Sequence, residues 1–198
     1  MKNSFSQKGF SPKRYTRKGA WTLFLMCALP LHAWTFMLAL RDYSWLADRT
    51  NAWDAIGVFS YGLLFALIET LFVFLVMLLL GFLVSRNWLE QQRIALLGSL
   101  VLIASLWAML VQLFYILEVA IPNQAIDFLI RRSHPLRFMY LVTLSFVGLT
   151  VAVPTSFILR SSRFLRISNE FIKRLSLLSS IYMSFDIVAL MIILIRNF

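Results

Sequence analysis

Five long, uninterrupted apolar runs occupy most of this chain and constrain its fold more than any other feature. They cover residues 19–40, 55–84, 94–117, 138–159 and 175–195. Each run exceeds the roughly 20 residues that carry a helix across a hydrocarbon core about 30 Å thick. Transmembrane β-strands are about 10 residues long and alternate in polarity, so they do not fit continuous apolar runs. The sequence therefore predicts an all-α fold: a polytopic integral membrane bundle of five transmembrane helices with short loops.

The composition agrees with a membrane protein. Of the 198 residues, 60% are hydrophobic and only 14% are charged, which lies outside the usual range of soluble domains. The sequence divides into a basic tail, residues 1–18, and a single transmembrane domain, residues 19–198. The lone Cys27 lies inside the first apolar run, so no intramolecular disulfide is possible and a packing role is expected.

The distribution of basic residues predicts the orientation of the bundle. With the amino terminus inside, 13 of the 19 lysines and arginines fall in cytoplasmic segments and 6 fall outside. Six of the 13 stand in the tail, which has no acid: Lys2, Lys8, Lys13, Arg14, Arg17 and Lys18. This bias predicts a multi-pass plasma-membrane protein with a cytoplasmic amino terminus and an outer carboxyl terminus. The first run exceeds the about 7 to 15 apolar residues of a signal peptide, so a retained anchor is expected.

A net charge of +10 raises the question of nucleic-acid binding. The basic residues flank apolar runs instead of forming one groove, and no recognition motif is present, so nucleic acid is not expected as a partner. Membrane lipids are expected instead, including anionic headgroups at the basic cytoplasmic segments, because such clusters gain about 1 kcal/mol per residue near an acidic leaflet.

Two loops have the pattern of surface helices. Residues 122–135 place Asn123 as a candidate N-cap before a short amphipathic stretch that Pro135 ends. Residues 160–174 combine apolar side chains at helical spacing with five basic residues. This second segment is expected to be an interfacial amphipathic helix or a solvated basic connector.

Polar side chains inside the apolar runs carry the functional evidence. Glu69 and Asp186 lie near the middle of the second and fifth runs, His32 lies at comparable depth in the first, and Gln112 lies in the third. A carboxylate at the bilayer centre costs about 2.5 to 3.5 kcal/mol on insertion scales. Each acid is therefore expected to face the bundle interior, to pair, or to stay protonated with a raised pKa.

Helical spacing predicts the surroundings of the two acids. Gly62, Ala66 and Thr70 recur every four residues next to Glu69, which predicts a close helix contact with the acid beside it. Ser179 and Tyr182 share a helix face with Asp186. Two interpretations remain open: hydrogen bonds that hold helices or a partner subunit, or a proton or cation pathway through both acids and His32.

An enzyme at the membrane interface is the third possibility. The outer loops offer Asp54, Glu118, Asp127 and His134 as candidates. No metal-binding spacing, nucleophile elbow or phosphate loop is present, so the sequence predicts no catalytic residue, cofactor or metal. The preferred interpretation is a non-catalytic membrane module or accessory subunit that packs with other membrane proteins or forms a homo-oligomer.

Overall fold

The computed structural model describes residues 15–83 and 88–198, which form six α-helices and no strand. The helices are α1 (Arg17–Arg49), α2 (Ala52–Leu83), α3 (Glu90–Ile116), α4 (Asn123–Ile130), α5 (Pro135–Arg160) and α6 (Ser162–Asn197). All except α4 are long and apolar enough to cross a membrane. The predicted all-α class with five long apolar helices is confirmed. Lys2, Lys8, Lys13, Arg14 and Arg86, which the orientation argument uses, lie outside the described residues.

The first helix is longer than its apolar run. It contains 33 residues, or about 50 Å at 1.5 Å per residue, and it ends only at Arg49. A two-residue turn, Thr50 and Asn51, leads into α2, and the Asn51 Oδ1 accepts a hydrogen bond from the Asp54 backbone N at 2.8 Å. Residues 41–49, which include Asp42 and Asp48, are therefore helical.

The basic segment 160–174 is not a separate interfacial helix. It forms the first turns of α6, which runs for 36 residues without interruption. Ser161 alone separates α5 from α6, and its hydroxyl accepts a hydrogen bond from the Phe164 backbone N at 3.3 Å. Because the cap at Ser161 starts α6 at once, the amphipathic residues and the apolar run that follows them belong to one continuous helix.

The expected surface helix in the other loop is present as α4. Asn123 is its first helical residue, and Pro122 precedes it in the capping position. The Arg132 guanidinium lies over the rings of Phe128 and Phe138, at 4.9 and 5.0 Å from their centroids. Pro135 begins α5, because a proline in the first turn loses no helical hydrogen bond.

The long helices meet at two ends, which we name after residues that lie there. At the Thr16 end, the backbone N and the Oγ1 of Thr16 donate to the Glu90 Oε1 at 2.8 and 2.7 Å, which joins the start of α1 to the start of α3. At the Asp54 end, the Arg196 Nη2 donates to the Asp54 Oδ1 at 2.7 Å and joins the end of α6 to the start of α2. Helix α1 begins at the Thr16 end and finishes next to the start of α2, at the Asp54 end. Because α6 also finishes at the Asp54 end, α1 and α6 run parallel.

Helix α1 is the centre of the bundle and contacts α2, α3 and α6. Its residues from Leu23 to Pro30 are buried on every side of the helix. On α2, Ala66 and Thr70 are buried, and a Cβ added at Gly62 would meet the Thr35 side chain of α1 at 3.5 Å. Small residues thus allow α2 to approach the central helix closely, as the sequence predicted.

Packing is tighter at the Thr16 end than at the Asp54 end. Met26, Ile94, Ile158 and Ile172 form a core that joins α1, α3, α5 and α6. Beyond Val101, α3 has no buried residue, and Ile158 is the single buried residue of α5. Near their middles α3 and α5 contact each other, since the Trp107 Nε1 donates to the Thr150 Oγ1 at 3.1 Å and the Trp107 ring lies 5.5 Å from that of Phe146.

Candidate functional site

A buried histidine–aspartate pair joins α1 to α6 near the middle of both apolar runs. The His32 Nε2 lies 3.0 Å from each carboxylate oxygen of Asp186. His32 is fully buried, and Asp186 is 6% exposed. The two residues are 154 positions apart in the sequence, so tertiary packing alone brings them together.

The contact made by the other ring nitrogen of His32, Nδ1, shows that this nitrogen carries a proton. The His32 Nδ1 lies 2.9 Å from the backbone oxygen of Ala28. A carbonyl oxygen accepts but cannot donate, so Nδ1 carries hydrogen. One further proton is then shared between the His32 Nε2 and the Asp186 carboxylate. The pair is either an imidazolium facing a carboxylate or a neutral imidazole facing a carboxylic acid, and the two forms carry the same net charge.

An aromatic cluster lies beside the pair in the chain. The Phe36 ring, one turn after His32, packs against Phe59, Tyr182 and Phe185 with centroid distances of 5.1, 5.4 and 5.2 Å. These ring contacts add packing between α1, α2 and α6 beside the pair.

The polar face predicted on α6 faces the interior. Ser179 is fully buried and its Oγ donates to the Leu175 backbone oxygen at 3.0 Å. Ile172, Ser179 and Asp186 are spaced seven residues apart and are all buried. A seven-residue spacing keeps side chains on one seam between two helices, so Asp186 belongs to the packing surface between α6 and α1.

Glu69 is not part of this site, contrary to the expectation that it lies at a helix contact. Its side chain is exposed, and none of the described residues gives it a hydrogen bond or an ion pair. Ala66 and Thr70 face α1, whereas Glu69 points away, because successive residues on a helix are about 100° apart. The close contact of α2 therefore forms without the acid.

Apart from the Tyr61 hydroxyl, which accepts a hydrogen bond from the Asn197 Nδ2 at 2.7 Å, the outward face of α2 around Glu69 is apolar. We call it the Glu69 face, and it comprises Tyr61, Phe65, Ile68, Glu69, Phe72 and Val76. The ring of Phe65 is 64% exposed and that of Phe72 is 66% exposed. Glu69 is thus a single carboxyl group in the middle of a large apolar surface at half the length of α2.

Gln112 is also exposed, on the half of α3 that lies outside the core. It is four residues from the end of α3, close to the Asp54 end. The structure does not bring it near His32 or Asp186.

Asp54, the first of the outer-loop candidates, has structural partners. The Asn51 Nδ2 donates to the Asp54 Oδ2 at 2.6 Å, in addition to the bond between Arg196 and Asp54. Arg196 also donates from its Nη1 to the Trp53 backbone oxygen at 2.7 Å. These contacts cap α2 and fasten the end of α6 to it.

The remaining outer-loop candidates are dispersed along exposed backbone. Glu118 has a positive φ of 49° after the end of α3, Asp127 lies on α4, and His134 precedes α5. Across the part of the chain that is described, no group of three or more His, Cys, Asp or Glu side chains is placed to hold a metal ion.

Sequence reasoning missed a polar cluster at the Thr16 end. Arg93, one of the 13 basic residues assigned to cytoplasmic segments, is 3% exposed within α3. Its guanidinium lies 5.6 Å from the ring centroid of Tyr15. Burial raises the pKa of the Tyr15 hydroxyl, an effect that the positive charge of Arg93 opposes. The signal was weak, because a basic residue beside an apolar run is the usual mark of a membrane boundary.

Comparisons with known proteins found no matching family, no matching curated protein and no matching solved structure.

Proposed function

We propose that this protein is a non-catalytic membrane module, an accessory subunit that packs against another membrane protein through the Glu69 face. The single observation that carries the proposal is the exposed Glu69 at half the length of an apolar helix, where no described residue pairs with it. An unsolvated carboxylate there costs about 2.5 to 3.5 kcal/mol. A partner that supplies a hydrogen bond offsets this cost, so the acid favours assembly.

The chemistry of Glu69 defines what the partner must offer. In hydrocarbon, the carboxyl group needs a hydrogen-bond donor at the same depth, such as a hydroxyl, amide, imidazole or basic side chain on a neighbouring helix. Around that contact, the rings of Phe65 and Phe72 provide apolar area for van der Waals packing. The partner surface is therefore expected to be apolar with one polar group at its centre.

The buried pair has a different role in this proposal. His32 and Asp186 satisfy each other within the chain, so they hold α1 against α6 and need no partner. Of the two mid-depth acids, Asp186 stabilises the subunit and Glu69 recruits its partner.

The proposed location is the plasma membrane, with the Thr16 end in the cytoplasm and the Asp54 end outside. The excess of basic residues toward the Thr16 end supports this orientation, because basic residues in short segments remain cytoplasmic. The expected anionic-lipid contacts then lie in the cytoplasmic leaflet.

Site-specific photo-crosslinking in native membranes tests the proposal. A photoreactive phenylalanine analogue at position 72 is expected to give one discrete adduct, which Glu69→Leu removes and Glu69→Gln largely retains, since glutamine still hydrogen-bonds. The same analogue at Leu144, which is 71% exposed on α5, is the matched control. In bilayers, isolated Glu69→Leu protein should be as stable as the wild type or more stable.

Two results would contradict an accessory role through this face. One is the absence of any adduct from position 72 in native membranes. The other is an adduct that persists in Glu69→Leu, because the acid would then not contribute to assembly. An adduct with the mass of two copies of this chain would show that the partner is a second copy of the chain and not a different protein.

A proton or cation pathway is the second candidate, and the observation that favours it is the buried contact between the His32 Nε2 and the Asp186 carboxylate. Glu69, the third group of that hypothesis, makes no contact with the pair. Flux measurements in proteoliposomes discriminate the two candidates: a pathway requires that Asp186→Asn abolish flux in a protein that still folds.

A further inference from the structure

A groove at the Thr16 end combines charged and apolar walls in a way the accessory role does not explain. It has a volume of about 880 Å³ and lies between α1, α3 and the first half of α6. Lys18, Arg166, Glu170 and Lys173 line it together with Glu90. Three cations thus face two carboxylates, which leaves an excess of one positive charge.

Most of these charges have no partner of opposite charge among the described residues. Lys18, Arg166, Lys173 and Glu170 make no ion pair or side-chain hydrogen bond with any residue that the structure describes. Glu90 differs, because its Oε1 already accepts two hydrogen bonds from Thr16. The cations are therefore free to bind an anion, whereas one of the two acids is already engaged.

The groove changes character with depth. Past the charged residues, it is lined by Trp21 and Leu25 of α1 and by Ser176, Leu177 and Ser180 of α6. The two serine hydroxyls donate to the backbone oxygens of Lys173 and Ser176 at 2.8 and 3.0 Å. Because their protons are satisfied within the helix, the deep part of the groove is compatible with an apolar chain. Charge at the mouth and apolar walls beyond it match an amphiphile better than a small free anion.

The register of α1 against α6 places two of the cations at the same level. Lys18 precedes His32 by 14 residues, and Lys173 precedes Asp186 by 13. The two helices run parallel, so at 1.5 Å per residue both lysines lie about 20 Å from the buried pair. A bilayer is about 40 to 45 Å thick including its headgroups, so half of it is about 20 to 22 Å. With the pair at the bilayer centre, both lysines lie at the level of the lipid phosphates.

We propose that this groove is a binding site for one anionic phospholipid from the leaflet on the Thr16 side. Lys18 and Lys173 bind its phosphate from opposite walls, Arg166 lies beyond them toward the headgroup, and an acyl chain lies along Trp21, Leu25 and Leu177. The net positive charge of the groove selects an anionic lipid over a zwitterionic one. The site is independent of the Glu69 face, which belongs to α2.

Native mass spectrometry of the full chain, released from micelles that contain phosphatidylglycerol or phosphatidylcholine, tests the site. The test variant is Lys18→Gln with Lys173→Gln. The matched control is Arg17→Gln with Arg174→Gln, which removes two cations from adjacent positions that do not line the groove. The wild type should retain one phosphatidylglycerol in preference to phosphatidylcholine. The test variant should bind it about 25-fold more weakly, about fivefold for each cation, whereas the control should change less than about threefold.

A second variant separates the apolar part of the site from its charges. Ser180→Trp narrows the deep part of the groove and leaves all cations in place, so it should also weaken phosphatidylglycerol retention. Equal losses in the test and control variants would overturn the proposal, since only diffuse attraction would then remain. Full displacement of the lipid by excess inorganic phosphate, with no effect of Ser180→Trp, would overturn it in favour of a free-phosphate site.

Discussion

Asp186→Ala is the most informative single change in the buried pair. It leaves the His32 Nε2 in a fully buried position without the two carboxylate oxygens that lie 3.0 Å from it. Loss of a hydrogen bond to a charged group costs about 1.5 to 3 kcal/mol. For a chain of this size, each kcal/mol lowers Tm by about 2 to 4 °C, so a decrease of roughly 3 to 12 °C is expected.

Asp186→Asn should destabilise the protein far less than Asp186→Ala. With its proton on Nδ1, where Ala28 accepts it, a neutral His32 presents the Nε2 lone pair, and an asparagine amide can donate to it. We expect a loss below about 1 kcal/mol, since the hydrogen bond is kept. Ser184→Ala, at an exposed position on the same part of α6, is the matched control and should leave Tm unchanged.

The assay is thermal or denaturant unfolding in detergent, arranged as a double-mutant cycle with His32→Ala. A coupling energy of about 1.5 kcal/mol is expected, near the upper end of the values measured between transmembrane helices. If the losses in free energy of unfolding from the two single substitutions add up to that of the double variant within about 0.5 kcal/mol, the pair does not hold α1 against α6. Equal damage from Asp186→Asn and Asp186→Ala would refute the proton assignment on His32.

Two further predictions concern the ends of the bundle. The Tyr15 hydroxyl is buried without a hydrogen-bond partner among the described residues, so Tyr15→Phe should stabilise the protein by about 1 kcal/mol in the same unfolding assay; destabilisation would show that the hydroxyl has a partner. A Cβ at Gly57 would collide with the Arg196 guanidinium, so Gly57→Ala should displace Arg196 from Asp54 and cost up to about 1 kcal/mol, less at high salt. Gly148→Ala, whose Cβ would meet nothing within 4 Å, is its control and should not destabilise.

Much of the architecture could be predicted because the signals are local. An apolar run of bilayer length forms a helix wherever it lies in the chain, since unsatisfied backbone groups are too costly in hydrocarbon. The small-residue strip of α2 was predictable for the same reason, because Gly62, Ala66 and Thr70 share a face at any helical geometry. Helix boundaries were less predictable: helical hydrogen bonding continues into polar residues, which extended α1 to Arg49 and α6 back to Ser162.

The sequence alone determined the five long apolar helices and the depths of His32, Glu69 and Asp186, because depth follows from position along an apolar run. Only the tertiary structure decided that His32 meets Asp186 and that none of the described residues hydrogen-bonds to Glu69 or pairs with its charge. Both acids stand at mid-helix among apolar residues, so their local sequences do not distinguish them. Their environments depend on which face of each helix packs against α1. For Asp186 that contact joins residues 154 positions apart, and for α2 it joins Gly62 to Thr35 and turns Glu69 away.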